Sequence, residues 1–271
     1  MNIYTRIVPA DCPKSRADKA LARLLPELPA WSLRDAFGRR DVKRNGQRIA
    51  PDTLVSAGDV LCVYARKSAA APLEVIFEDE KYIVINKRQG MPVQGEGSVE
   101  ALCGRHAGGP AYACHRLDVM TGGLVLLAKD ARALAVAEDA FARHALAKGY
   151  RALVRGCPTP KEAILTAYLR KDAERARVRV LDRAAEGTVP IETRYRVVEA
   201  GEEISRVEIG LITGRTHQIR AHMAHIGHPI LGDDKYGDRA FNRDHGARRQ
   251  KLWATRLVLW DGRAFEVEEG F

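Results

Sequence analysis

His115-Arg116-Leu117-Asp118-Val119-Met120-Thr121-Gly122-Gly123-Leu124-Val125-Leu126-Leu127-Ala128-Lys129 sets one carboxylate, Asp118, beside a basic pair and just ahead of a glycine turn. The apolar run from Leu124 to Ala128 reads as a buried strand. Such a strand is a rigid mount, so Asp118 is expected at a fixed point rather than on a free loop. A lone aspartate here also fits an ordinary turn, because Asp side chains bond the backbone of their own turns.

Outward from this strand, strand-like segments recur at 73–77, 82–86, 150–155, 191–198 and 204–212, and helical spacing at 131–148 and 217–226. Strands outnumber helices and do not alternate with them regularly. This predicts an α+β fold with a largely antiparallel mixed sheet. Upstream, Ser15 and Asp18 have capping-box-like spacing, and Ala17, Ala20, Leu21, Leu24, Leu25 and Leu28 recur as on a helix that Pro26 can end. Ser32 and Asp35 repeat the pattern ahead of a shorter helix through Phe37. Asn45-Gly46 predicts a type I′ hairpin turn, and Gly58-Asp59 leads into a strand at 60–64. The stretch from Arg66 to Pro72 reads as a linker. The expected organisation is a small module at 1–66, a linker at 67–72 and a larger domain at 73–271.

Charge follows this division. Residues 1–70 carry 13 Lys/Arg against 7 Asp/Glu, whereas the rest of the chain carries 31 against 28. Two thirds of the net +9 therefore lies in the first quarter, which suits a small module for a polyanion ahead of a nearly neutral body. Six basic residues, Arg34, Arg39, Arg40, Lys43, Arg44 and Arg48, stand against two acids between positions 34 and 48. They are candidates for phosphate contact, with a solvated basic face as the alternative. The five cysteines are scattered with no C-x-x-C pair, which argues against a zinc ribbon or a disulfide framework and fits a reducing cytoplasm. No apolar run is long enough for a membrane helix, and the N-terminus lacks a signal-peptide core. Gly95-Glu96-Gly97-Ser98 lacks the features of a nucleotide loop.

Four histidines, His217, His222, His225 and His228, lie close together ahead of Asp233 and Asp234. On a helix His217 and His222 point about 140° apart, unlike the i, i+4 pair of a zinc motif. No metal site is expected, although a metal-dependent hydrolase remains the reading that would use these histidines.

Four longer matches sharpen the picture. The central run resembles the H-R-L-D signature of the RluA-type RNA pseudouridine synthases. Glu78-Asp79-Glu80-Lys81-Tyr82-Ile83-Val84-Ile85-Asn86-Lys87-Arg88-Gln89-Gly90 resembles the first motif of that family, with Arg88 in place of proline, and Lys148-Gly149-Tyr150-Arg151-Ala152-Leu153-Val154-Arg155-Gly156 resembles its K-x-Y-x-A-[LI]-V-x-G. Thr213-Gly214-Arg215-Thr216-His217-Gln218-Ile219-Arg220-Ala221-His222-Met223 resembles its third motif, and the match continues through Gly227–Gly237. The segment 15–64 is similar to an S4-type RNA-binding domain.

The resemblance implies isomerisation of uridine in structured RNA, with no metal or organic cofactor. It implies that Asp118 is catalytic, as nucleophile at C1′ or base at C2′. Arg220 pairs with Asp118, favouring its ionised form and fixing its direction. Tyr150 covers the target base, and Arg116 fills the space left when the uridine flips out. Lys87 supports the site floor or is simply a strand-end lysine. Trp253 and Trp260 are expected in the core. Thr121-Gly122-Gly123 stands where the family has Thr-Ser-Gly, which predicts a more flexible turn. The implied partner is RNA: large-subunit (23S) ribosomal RNA, towards which the S4-like segment and the run Tyr236–Arg243 lean, with transfer RNA as the alternative. A cytoplasmic monomer with no membrane contact is expected. The rival is a non-catalytic RNA-binding protein, which would have no need of the complete Asp118, Tyr150 and Arg220 set.

Overall fold

Val125 and Leu127 belong to one apolar core, and Leu124, Leu126 and Ala128 to another. Alternate residues of a strand face opposite sides. The strand Gly122–Ala128 is therefore covered on both faces, which is what its unbroken apolar run requires. The computed structural model describes all residues except Met1, Glu27, Pro29, 66–72, Glu96 and Arg175, and only the backbone of Ala30 and Trp31. The expected linker at 67–72 thus lies outside the described residues.

In chain order the first part carries β1 (Asn2–Ile7), β2 (Ser15–Arg16), α1 (Ala17–Leu24), α2 (Ala30–Gly38), β3 (Val42–Arg44), β4 (Gln47–Arg48), β5 (Leu54–Val55) and β6 (Val60–Ala65). The second carries β7 (Val75–Glu78), β8 (Tyr82–Lys87), α3 (Val99–Ala107), β9 (Tyr112–Ala113), β10 (Gly122–Ala128), α4 (Ala131–Ala142), β11 (Ala147–Arg155), β12 (Glu162–Asp172), β13 (Arg177–Leu181), β14 (Thr188–Glu199), β15 (Ile204–Leu211), α5 (Gln218–His225), α6 (Arg239–Asp244), β16 (Leu252–Val258) and β17 (Ala264–Glu266).

The larger sheet runs β13-β12-β14-β15-β11-β16-β10-β8-β7, with β17 added to β16 and β9 to β10. Its pairings are antiparallel except β10 with β16, where Gly122 lies opposite Trp253 and Gly123 opposite Ala254. The expected α+β fold with a largely antiparallel mixed sheet is what forms. Helix α4 covers one face of the sheet through Ala133 and Ala137, whose small side chains permit close approach. Helices α3 and α5 cover the other through Val99, Leu102, Ile219 and Met223. The first part has its own sheet, β1-β6-β3-β4, and its own core around Leu21, Leu25, Phe37 and Leu61. Asn45 (φ 49°) and Gly46 (φ 83°) make the expected type I′ turn.

Several boundaries differ from the sequence reading. The first helix starts at Ala17, not Ser15. Ser15 instead pairs with Val55, and the amides of Ala17 and Asp18 donate to the carbonyls of Thr53 and Pro51 at 2.8 and 3.0 Å, so the helix needs no hydroxyl cap. The second starts at Ala30 and encloses Ser32, which is buried. The helix expected over 131–148 stops at Ala142, because His144 takes a left-handed φ of 55° and β11 begins at Ala147. Strands β1, β12, β13 and β17 and helices α3 and α6 were not anticipated. β1 is exposed along nearly its whole length, so only its pairing with β6 makes it a strand. Among the described residues no helix is long and apolar enough to cross a membrane.

Candidate active site

Asp118 sits in the turn leading into β10, and that turn is pinned from three sides. Thr121 N donates to Asp118 O at 3.0 Å, Gly90 N donates to Val119 O at 2.8 Å, and Gln250 Nε2 donates to Thr121 Oγ1 at 2.8 Å. From below, Lys87 Nζ donates to the carbonyls of Met91, Val119 and Arg88 at 3.0, 3.2 and 3.3 Å. Lys87 is 1% exposed. Burial pushes its ammonium down to about 7 against the opposing pull of Asp118. Of the two roles left open for Lys87, the contacts support the floor of the Asp118 turn.

The turn is not loosened by Gly122. A Cβ at position 122 would come within 2.3–2.4 Å of the Trp253 ring, so the indole occupies the space a serine side chain would need. Gly123, at φ 114°, lies flush against the backbone of Ala254. The flexibility expected from the glycine pair is thus replaced by close packing.

Arg220, from α5, reaches Asp118 with Nη1 at 3.1 Å from Oδ2. Its Nε and Nη2 close a fork on Asp233 at 2.7 and 2.9 Å, and Nη2 also meets Asp234 Oδ1 at 3.1 Å. Arg220 is 4% and Asp233 0% exposed. Burial alone would favour their neutral forms. The mutual fork outweighs it, and the guanidinium is raised while the Asp233 carboxyl is held below its usual range. Helix α5 is fixed at its start by Gln218, which accepts from Thr213 Oγ1 and Arg215 N and donates to Glu192 O and Thr193 Oγ1.

Tyr150 joins these residues from β11, at a shift of register between Gly149 and Tyr150 where the strand pairs with β16. Such bulges re-aim side chains towards sites. Burial, and after it Asp118, raises its phenol, so the hydroxyl stays protonated at neutral pH. Arg116, Asp118, Lys148, Tyr150, Arg215 and Arg220 line one cleft of about 90 Å³. Among the described residues Asp118 is the one carboxylate in its lining. Arg116 is exposed. Its neighbour His115 is not a second cation, because Nε2 accepts from Leu126 N at 3.1 Å and burial pushes the ring down to about 3.

Sequence reasoning brought Asp118, Tyr150, Arg220 and Arg116 to one place but gave no role to Asp233, Lys148 or His217. His217 Nε2 lies 3.8 Å from Asp118 Oδ2, and its Nδ1 meets Tyr236 OH at 2.9 Å. Asp233 lay within a matched motif, and only the depth of its burial marks it out. The remaining histidines are engaged separately: His222 with Thr193 Oγ1, His225 with Asp182, His228 with Arg155 O. Among the described residues no cluster of His, Cys, Asp or Glu has metal-binding geometry.

The basic residues of the first part divide. Arg34 Nε donates to Gly90 O at 3.0 Å, linking α2 to the loop that holds the Asp118 turn. Arg39 is spent on Asp35 and Asp41, and Arg44 on Leu54 O and Asp59. Lys43 lies over the Tyr64 ring. Arg40 and Arg48 are exposed.

Comparison with known proteins identifies the family. Residues 81–225 match the sequence profile of a family described as RNA pseudouridylate synthase. The ribosomal large subunit pseudouridine synthase C of Vibrio cholerae is 32% identical over 86% of this chain and 80% of its own length. Its counterpart in Escherichia coli K12 is 32% identical over 87% and 80%. Human RNA pseudouridylate synthase domain containing 1 superposes with a TM-score of 0.63 at 26% identity, covering 74% of this chain and 84% of that one.

Proposed function

The chain belongs to the RNA pseudouridylate synthase family and is an isomerase, and from that premise we propose that it converts uridine to pseudouridine in large-subunit (23S) ribosomal RNA with Asp118 as the catalytic carboxylate. The observation that carries this reading is the cleft itself: a single carboxylate held by Arg220 at 3.1 Å, covered by Tyr150 and ringed by cations. The ribosomal substrate is supported by the relatives named for the large subunit.

Isomerisation breaks the N1–C1′ bond, turns the base and forms C5–C1′. The proton on C5 is lost and N1 gains one, so no redox partner enters the balance. Asp118 either bonds C1′ or takes the C2′ proton, and Arg220 aims it in both cases. Tyr150, kept as a phenol, packs against the base and can donate a hydrogen bond but not act as a phenolate. Lys148 and Arg215 supply positive charge for the flanking phosphates. Arg116, at the surface, takes the place of the flipped uridine. The segment 1–66 acts as an S4-like RNA-binding module, with Arg40, Lys43 and Arg48 towards the RNA, joined through 67–72 to the catalytic domain at 73–271. One chain supplies every described element of the cleft, which supports a monomer, and a ribosomal RNA substrate supports a cytoplasmic location.

The test uses the purified chain on transcribed 23S ribosomal RNA and, separately, on transcribed transfer RNAs, with pseudouridine mapped at nucleotide resolution. Modification of 23S RNA alone is expected. Modification of transfer RNA alone would overturn the substrate, and no pseudouridine in either would overturn the activity.

A further inference from the structure

We propose that the cleft between the first part of the chain and the segment 232–248 is a binding site for RNA backbone phosphates, built jointly by the two parts. This rests on the reading of the chain as an RNA-acting enzyme and adds where the strand runs beyond the uridine pocket.

The cleft has a volume of about 510 Å³. Arg40, from the turn after α2, lines it together with Arg239, Arg243 and Arg248 from α6 and the loop that follows, over a floor of Asp233 and Asp234. The floor does not neutralise the walls, because Arg220 already holds both oxygens of Asp233 and Oδ1 of Asp234, leaving four guanidiniums against one exposed carboxylate edge. The side chains of Arg40, Arg239 and Arg248 make no hydrogen bond or ion pair with any described residue. Arg243 meets only its chain neighbour Asp244, and both side chains are more than three-fifths exposed. Like charges gathered in one cleft repel, and a polyanion relieves that repulsion.

The neighbouring arginines make the contrast. Arg39 and Arg249 both pair with Asp35, and Arg34 binds the Gly90 carbonyl. Arg249 and Arg34 close the junction between the parts and Arg39 is held within the first, whereas the four facing the cleft are left over. Arg40 also takes a left-handed φ of 61° just past the helix end, a position that favours glycine. Its side chain gives the fold no visible return for that conformation, so strain at this point indicates function. Arginine forks match phosphate oxygens in pairs, and the amide of Asn242 in the lining is already engaged by Gly232 N and Asp233 O. The partition between cleft and uridine pocket is Arg220 with Asp233 and Asp234, so a strand leaving the pocket meets these arginines next.

The test measures affinity of the full chain for transcribed 23S ribosomal RNA across a potassium chloride series, with Arg40→Gln, Arg248→Gln, their double variant, Arg40→Gly and, as a control on the far helix, Arg143→Gln. Each glutamine variant is expected to weaken binding about five- to tenfold at low salt and to flatten the log–log salt dependence by roughly 0.7–0.9 per lost phosphate contact. Arg143→Gln should leave both affinity and salt slope at the wild-type values. Arg40→Gly separates binding from folding: it should weaken RNA binding while keeping or raising the melting temperature, whereas a structural role would lower both. Wild-type affinity and salt slope in the double variant would overturn the site. So would a loss confined to an acidic probe such as polyglutamate, which would make the occupant a protein. If wild type binds RNA, the variants do not, and wild type forms no pseudouridine, the cleft stands and the assigned reaction falls.

Discussion

Arg220 Nη1 donates to Asp118 Oδ2 at 3.1 Å from a guanidinium whose Nε and Nη2 are already closed on Asp233. The Asp233 fork fixes the plane of the guanidinium, and that plane fixes Asp118. Arg220→Ala would leave Asp233 buried and unpaired, a cost of about 3–5 kcal/mol, and should lower the melting temperature sharply. Arg220→Lys keeps a charge but loses the fork. It should retain more of the stability while slowing the single-turnover rate about 100-fold through misplacement of Asp118. Equal loss of rate and stability in both variants would contradict the orienting role.

Trp253 and Gly122 are a matched pair. Gly122→Ser drives its Cβ into the indole and should cost about 1–3 kcal/mol as an overpacked site. Trp253→Leu alone opens space beneath the turn and releases Asn86 Oδ1 from the indole Nε1. The double variant should be more stable than the sum of the two losses by at least about 1 kcal/mol. Urea unfolding of the four proteins measures this coupling, and strict additivity would contradict the pairing.

The candidate site was legible because two apolar strands, β10 and β11, and one helix, α5, carry it. The run Leu124–Ala128 and the strand over 150–155 could be placed from side-chain patterning, and the motifs on their ends came with them. Asp233 was hidden because a buried carboxylate and a turn carboxylate look alike until Arg220 is in place. β1 was hidden because it presents no apolar run and is exposed nearly throughout, whereas β12 carries an apolar stretch at Ala163–Leu169 that the sequence reading passed over. The capping pattern at Ser15 misled for a tertiary reason, since the Thr53 and Pro51 carbonyls do the work of a cap. The signal for α3 was present, however: Ser98 Oγ accepts from Ala101 N at 3.2 Å and Gly108 ends the helix at φ 68°.

His222 gives a pH dependence. It is 2% exposed and bonds Thr193, and burial, with His225 adding to it, pushes its ring down to about 4. The unfolded chain, with an ordinary histidine near 6.5, therefore binds a proton more readily than the fold. The stabilisation is complete above about 6.5 and is lost as pH falls from there to about 4, at up to about 1.4 kcal/mol per pH unit. His222→Gln should remove this component from the slope of urea-unfolding free energy against pH. An unchanged slope would contradict the buried neutral ring.

Asp35 ties the two parts of the chain through Arg249, and Arg34 ties α2 to Gly90, whose amide holds Val119 beside Asp118. Asp35→Asn should raise KM for 23S RNA about fivefold, the scale of a ~1 kcal/mol part-exposed ion pair, with kcat unchanged. Faster amide exchange in α2 should accompany it. A fall in kcat with KM unchanged would place the effect in the chemistry instead.

The most direct test of the account is pseudouridine mapping of ribosomal RNA from cells that lack this gene and are rescued by either the wild-type chain or Asp118→Asn. The account predicts one or more large-subunit uridines left unmodified by the deletion, restored by wild type and not by Asp118→Asn, with both proteins folded and present at equal levels. Restoration by Asp118→Asn would contradict it.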